Sequence, residues 1–225
     1  MSSATTSPLA ARALEFIVPG QTIGLGTGRA ATNFIQALGQ HVRAGLNVRG
    51  VPTSLASAQL AEQEGIPLVS LDDVETLDHD FDGADEVDPH GNLIKGYGGA
   101  LLREKIVAQC SRRVVILVGA EKLVPQLGSR GKLPVEVLPF GLASCQRRLS
   151  AIGIASTPRT QAGQFVLTDN GNLLLDCTIP ALDDPQQFEH TLRSFPEVLG
   201  TGLFLDLRPI VLVEHSDGRI ERRDS

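Results

Sequence analysis

Two short segments carry side chains suited to proton chemistry. "DGADEVDP" sets Asp82, Asp85, Glu86 and Asp88 within seven residues, and "KGYGGALLREK" supplies Lys95, three glycines and Glu104. Moving a carbonyl between adjacent carbons of a sugar needs a base that takes a proton from the neighbouring carbon. It also needs a cation or donor facing the enediolate oxygen, and groups that shuttle hydroxyl protons. Glu104 can be the base, Lys95 the electrostatic partner, and Asp82 and Asp85 the hydroxyl holders, with no redox cofactor. On a helix Glu104 shares a face with Ala100 and Ala108, small neighbours that let a bound molecule approach. Each part alone has a plainer reading: the acidic segment as a solvated loop, Glu104 as a solvated helical residue. A magnesium site also stays open, although the acid spacing departs from an EF-hand and no P-loop accompanies it.

A third segment, "IGLGTGRAATNF", follows a strand-like run and opens a helical one. Backbone amides at such a junction cradle a phosphate, aided by the helix N-terminus. A dinucleotide fingerprint would need glycines at 24, 26 and 29, but position 29 is Arg. The ribose-binding acid expected about 20 residues further on is also missing. A small phosphorylated ligand therefore fits better than NAD; a tight turn holding no ligand is the plainer alternative.

The elements that must position these groups alternate in type. Over residues 8–130 helical spacing ("LAARALEFI", "RAATNFIQALGQHV", "SLASAQLAEQEG", "ALLREKIVAQC") alternates with strand-like runs ("QTIGLGTG", "LNVRGVPTS", "IPLVSL", "RVVILVGA"). Ala30, Phe34, Ile35 and Leu38 fall on one side of the second helix, and Gly65 stops the third. "DHDFDGADEV" offers little apolar material beyond Phe81 and Val87. This alternation predicts a parallel sheet with helices on both faces.

From about Lys132 the texture changes to strand, helix, strand, strand, helix, with Asp169-Asn170-Gly171-Asn172 as a hairpin turn between two strands. That order suggests a small α+β domain. The closing "RPIVLVEHSDGRIERR" reads as a hairpin returning to the first domain. The expected fold is thus α/β: one domain over 1–130 and 206–225, and a small α+β domain over 131–205.

Composition bounds the partners. The 225 residues are 42% hydrophobic and 20% charged, ordinary for a soluble globular chain. A net charge of −6 argues against nucleic acid as the main partner while leaving room for a local basic pocket. The longest apolar run, Val114–Ala120, has strand length, far below the roughly 20 residues that cross a bilayer. The N-terminus lacks a basic segment followed by an apolar core, so no signal peptide is expected. Cys110, Cys145 and Cys177 are scattered and form no CxxC pair, which suits reduced thiols in the cytoplasm and makes zinc improbable.

The chain resembles the ribose-5-phosphate isomerase family of the A type. "GLGTG", "VPTSLASAQLAEQEGIPL", "DGADEVDP", "LIKGYGGALLREKI", "GKLPVEVLPFG" and "TDNGNLLLD" occur in the family's order, from about Ala10 to about Arg222. The resemblance implies interconversion of ribose 5-phosphate and ribulose 5-phosphate through a cis-enediolate, without metal or cofactor. It implies a Rossmann-like domain carrying a smaller α+β domain, assembled as a homodimer or a dimer of dimers. Glu104 matches the family's base, Asp82 and Asp85 the acids on the sugar oxygens, and Lys95 the lysine facing developing charge. Gly96 and Gly98 shape the lysine's loop, and Lys122 matches a further substrate-contacting lysine. Thr27 and Gly28 match the phosphate-side loop, and Gly83, Ala84 and Tyr97 join the substrate contacts.

Two departures stand out. Arg29 and Ala30 replace a Ser-Thr pair, losing two hydroxyls and gaining a guanidinium, and Tyr97 replaces a common glycine. The competing reading is a non-catalytic sugar-phosphate sensor, a domain that regulators fuse to a helix-turn-helix.

Overall fold

Strand order explains how distant parts of the sequence meet. The computed structural model describes residues 7–224; the first six residues of the stretch read above for a signal peptide lie outside them. In chain order the elements are α1 (Pro8–Leu14), β1 (Thr22–Leu25), α2 (Arg29–Arg43), β2 (Arg49–Pro52), α3 (Leu55–Gln63), β3 (His79–Asp82), β4 (Glu86–Val87) and β5 (Leu93–Ile94). There follow α4 (Leu101–Gln109), β6 (Val114–Gly119), β7 (Lys132–Val137), α5 (Leu142–Ala151), β8 (Ala155–Pro158), β9 (Thr160–Gln161) and β10 (Gln164–Phe165). The last are β11 (Leu173–Thr178), α6 (Pro185–Arg193), β12 (Val198–Thr201), β13 (Leu203–Phe204), β14 (Ile210–Glu214) and β15 (Ile220–Asp224). The chain divides into two units. One holds the residues up to Gly83, Arg103–Lys122 and the residues from Leu207; the other holds Ala84–Leu102 and Leu123–Asp206.

The first unit is built on a six-stranded sheet of order β15-β14-β6-β3-β1-β2. Its ladders are parallel except for the closing β14–β15 hairpin. Alternation along β1 sorts its side chains: Ile23 and Leu25 join Phe34, Ile35, Leu38 and Phe81 under α2, while Gly24 faces Val107 of α4. Helices therefore cover both faces, as the strand–helix alternation predicts. The Phe34 and Phe81 rings stack at 4.3 Å between α2 and β3. The Ser54 hydroxyl caps α3 by accepting from Ser57 N at 3.0 Å, and Gly65 follows its end with φ of 78°.

Two sequence expectations change here. His79–Asp82 is an inner strand, paired with β1 and β6, although its only apolar residue is Phe81. "IPLVSL" makes a single bridge, Gly50 to Leu68, and no strand.

In the second unit β12-β7-β11-β8 form an antiparallel sheet, and β13-β5-β4 a smaller one. Leu133, Val135 and Val137 of β7 pack with Leu173, Leu175 and Cys177 of β11, Cys145 and Leu149 of α5, and Leu192 of α6. The expected turn is present: Thr168 N donates to Asn172 O at 2.9 Å. The strand expected just before it shrinks to a single antiparallel bridge, Leu167 to Leu173, while β8 lies further along β11 and the chain makes the exposed β9–β10 hairpin in between. Ala162 and Gly163, both at positive φ, close that hairpin early.

Candidate active site

In the first unit the site residues follow from a topological switch. The chain leaves β1 toward β2 on one side, while β3 pairs on the other, so the carboxyl ends of β1 and β3 splay outward side by side. The loop Gly26-Thr27-Gly28 leaves β1 there, and Asp82 ends β3. Thr27 N and Gly83 N donate to Asp82 Oδ1 at 3.2 and 2.7 Å. Gly26 is required: a Cβ would stand 2.3 Å from Asp82 Cγ and 2.6 Å from the Phe81 carbonyl oxygen.

Thr27 is itself gripped by hydroxyls. Its Oγ1 lies 2.8 Å from Thr53 Oγ1, 2.9 Å from Ser54 Oγ and 3.2 Å from Ser57 Oγ. Ser57 Oγ in turn donates to Gly26 O at 2.6 Å. These three residues escaped the sequence reading as site components. The signal was there, in "PTSLAS" directly after a strand, but it also reads as an ordinary helix start.

Glu104 lies in the first turn of α4 and is 3% exposed. The far end of α4 is tied to the start of β3, since Leu77 N donates to Cys110 O and Arg112 N to Leu77 O. The first turn of α4 therefore points toward the carboxyl edge of the sheet. Ala100 precedes the helix, so of the two small neighbours expected for Glu104 only Ala108 is helical. Lys122 closes a short 3-10 turn after β6, at the same edge.

Gly28 is the N-cap of α2, Arg29 its exposed first residue, and Ala30 the second. Among the described residues Arg29 makes no hydrogen bond or ion pair. It lines a cavity of about 420 Å³ with Ala30, Asn33, Glu121, Glu214 and His215.

In the second unit the small sheet brings Asp85 and Lys95 together. Asp85 precedes β4 and Lys95 follows β5; because the two strands are antiparallel, both residues emerge at one end. Asp85 N donates to Ile94 O at 2.8 Å, and Lys95 N to Gly202 O at 2.8 Å. Asp85 Oδ2 accepts from Tyr97 N at 3.0 Å. Lys95 is 4% exposed, with Nζ 5.5 Å from the centre of the Phe204 ring. Gly96 turns the loop at φ of 105°, a region that suits glycine. Burial, reinforced by Asp85 and Glu86, pushes the Tyr97 hydroxyl up to about 12, so it stays protonated. Ala84 is half-buried and Gly98 exposed.

The four acids of "DGADEVDP" thus divide by environment. Glu86 accepts from Gly128 N and Arg130 N at 2.7 and 2.9 Å, and Asp88 from His90 N and Asn92 N at 2.8 and 2.9 Å. Both sets of donors come from turns of their own unit. Among the described residues no group of three or more His, Cys, Asp or Glu is arranged to hold a metal ion. Nor is any helix long and apolar enough to cross a membrane.

The sequence model for ribose 5-phosphate isomerase A (phosphoriboisomerase A) matches residues 49–218. The chain belongs to that family. It is 44% identical to the ribose-5-phosphate isomerase A of Parvibaculum lavamentivorans, covering 93% of each chain. Identity to the Gloeobacter violaceus protein of that name is 46%, over 93% of this chain and 91% of the relative. Among solved structures, ribose 5-phosphate isomerase A from Methanocaldococcus jannaschii superposes with a TM-score of 0.91 at 37% identity, over 97% of both chains. A D-ribose-5-phosphate isomerase in complex with phospho-erythronic acid superposes at 0.92 and 37% identity over the full length of both.

Proposed function

We propose that the chain interconverts D-ribose 5-phosphate and D-ribulose 5-phosphate through a cis-enediolate. The observation that carries the reading is the burial of Glu104 in the first turn of α4, at the carboxyl edge where Asp82 ends β3. Open α/β sheets bind their ligands at that edge, and an acid kept from water there suits proton transfer better than solubility.

In this reading Glu104 takes the C2 proton of the open-chain aldose, leaving an enediolate, and returns it to C1. Lys95 faces the negative oxygen, and Asp82 and Asp85 hold the sugar hydroxyls, assist ring opening and shuttle the hydroxyl proton. Gly83, whose amide with that of Thr27 fixes Asp82, lines the sugar with Ala84, Thr27 opens the phosphate-side loop, and Gly96, Tyr97 and Gly98 form the wall around Lys95. The relative bound to phospho-erythronic acid supports the class of intermediate, because a planar carboxylate on a phosphorylated polyol mimics an enediolate.

The phosphate falls to Gly28, Arg29, Ala30 and Lys122. The cavity beside Arg29 favours this, and Arg meets phosphate oxygens with a planar fork of donors. Glu121 and Glu214 on the same cavity oppose an anion, which leaves Arg29 and the loop amides to outweigh them. Assembly as a homodimer or dimer of dimers and residence in the cytoplasm rest on the family resemblance; light scattering tests the former.

The deciding experiment is ketose formation from ribose 5-phosphate after dialysis against a chelator. Turnover indifferent to added Mg²⁺ is expected. Binding without turnover would mark a sugar-phosphate sensor, and activity restored by a divalent ion would turn the acid cluster into a metal site.

A further inference from the structure

Arg159 lies far from every sequence motif assigned to the chemistry, on the link between β8 and β9, yet its side chain is only 15% exposed. Its fork is filled on two sides. Nε donates to Asp176 Oδ2 at 3.1 Å and Nη2 to Asp176 Oδ1 at 2.5 Å. Nη1 donates to the carbonyl oxygens of Gly96 at 3.1 Å and Tyr97 at 3.0 Å. In extended backbone consecutive carbonyls point to opposite sides. At Gly96, with φ of 105°, the chain turns so that both reach one nitrogen.

The peptide units after Lys95 are therefore held from two directions. Arg159 takes the carbonyls, while the Tyr97 amide is spent on Asp85 Oδ2. Asp176 is the hub: Lys132 Nζ sits 3.0 Å from its Oδ2 and 4.9 Å from the centre of the Tyr97 ring. Burial opposes ionisation of Asp176, but Arg159 and Lys132 outweigh it and hold the carboxyl below its usual range.

We infer that Arg159, oriented by Asp176, is a positioning residue for the reaction. By fixing the Gly96 and Tyr97 carbonyls it sets where the Lys95 ammonium and the Asp85 carboxylate point. Only a planar guanidinium can bind one carboxylate through two donors and two carbonyls through a third nitrogen; a lysine keeps the charge but not the fork. The inference rests on the proposed roles of Lys95 and Asp85.

The test compares Arg159→Lys, Asp176→Asn, Lys95→Ala and the Arg159→Lys/Lys95→Ala double variant, with kcat, KM and melting temperature measured for each. Arg159→Lys should fold with a melting temperature near the parent's. Its kcat should fall about 10-fold or more, since a misplacement of about 1 Å costs up to about 100-fold, and KM should move far less. Asp176→Asn should show the same split. With Lys95 already removed, the Arg159→Lys penalty should shrink to the share that acts through Asp85, because groups acting as one unit are not additive. Parental kcat in Arg159→Lys, or a full penalty in both backgrounds, overturns the inference and makes Arg159 a structural ion pair. If Lys95→Ala itself turns over normally, the site reading fails instead, whatever Arg159 does.

Discussion

Substituting Gly26 by Ala tests whether the loop after β1 and the acid ending β3 are one mechanical unit. The added methyl would stand 2.3 Å from Asp82 Cγ and Oδ1 and 2.6 Å from Phe81 O. Ordinary contact needs about 3.4 Å or more, so about 1 Å must be found by moving either the carboxylate or the β3 backbone. Neither yields freely. Asp82 is held by Thr27 N and Gly83 N, Phe81 O accepts from Gly26 N at 2.9 Å, and the Phe81 ring is stacked on Phe34. Overpacking of this kind costs about 1–3 kcal/mol, and for a chain of this size each kcal/mol moves the melting temperature by about 2–4 °C. If Asp82 holds sugar hydroxyls as proposed, a displacement of about 1 Å should also lower kcat by about 100-fold. Ketose formation from ribose 5-phosphate and a thermal melt read the two effects. If kcat stays within about threefold of the parent while the melting temperature drops as expected from overpacking, the strands have parted without disturbing Asp82. The argued coupling would then be wrong, as it would if neither quantity moved.

Glu104→Gln keeps the shape of the buried side chain and removes the proposed base; kcat should fall by about 100-fold or more with little change in KM, and near-normal turnover would move the base to the Asp82/Asp85 pair. Arg29→Ala should raise KM for ribose 5-phosphate by about 10-fold, as expected for a charged hydrogen bond, and the loss should shrink markedly for unphosphorylated ribose. Equal penalties on both sugars would show that Arg29 does not hold phosphate. The carboxyl of Asp176 is depressed in the fold, so the stability it contributes is present above the unfolded value of about 3.9 and lost as pH falls through the folded one. Asp176→Asn should therefore melt below the parent at pH 7 and approach it in strong acid; a gap that persists unchanged in acid would mean the charge plays no part.

Much of this protein was legible in the sequence because some signals report their surroundings locally. Val114–Gly119 is apolar throughout, which matches a parallel strand covered on both faces. Phe34, Ile35 and Leu38 recur at helical spacing, and α2 buries them on one side. The acid and lysine motifs suggested a chemistry from sequence alone because carboxylates and ammoniums keep their identity in any fold. Where burial depends on partners remote in sequence, no local pattern could speak. His79–Asp82 looks like a polar loop, yet it is an inner strand, because Asp82 receives its donors from Gly83 next to it and from Thr27, 55 residues away. The partners of Glu86 and Asp88, the turn amides at 128, 130, 90 and 92, appear only in the folded chain. The hydroxyls of Thr53, Ser54 and Ser57 around Thr27, and the fork of Arg159 beneath the Lys95 loop, are likewise products of chain folding. A hydrogen bond is directional and short, so which donor meets which acceptor is decided only when strand order and register bring them within 3 Å.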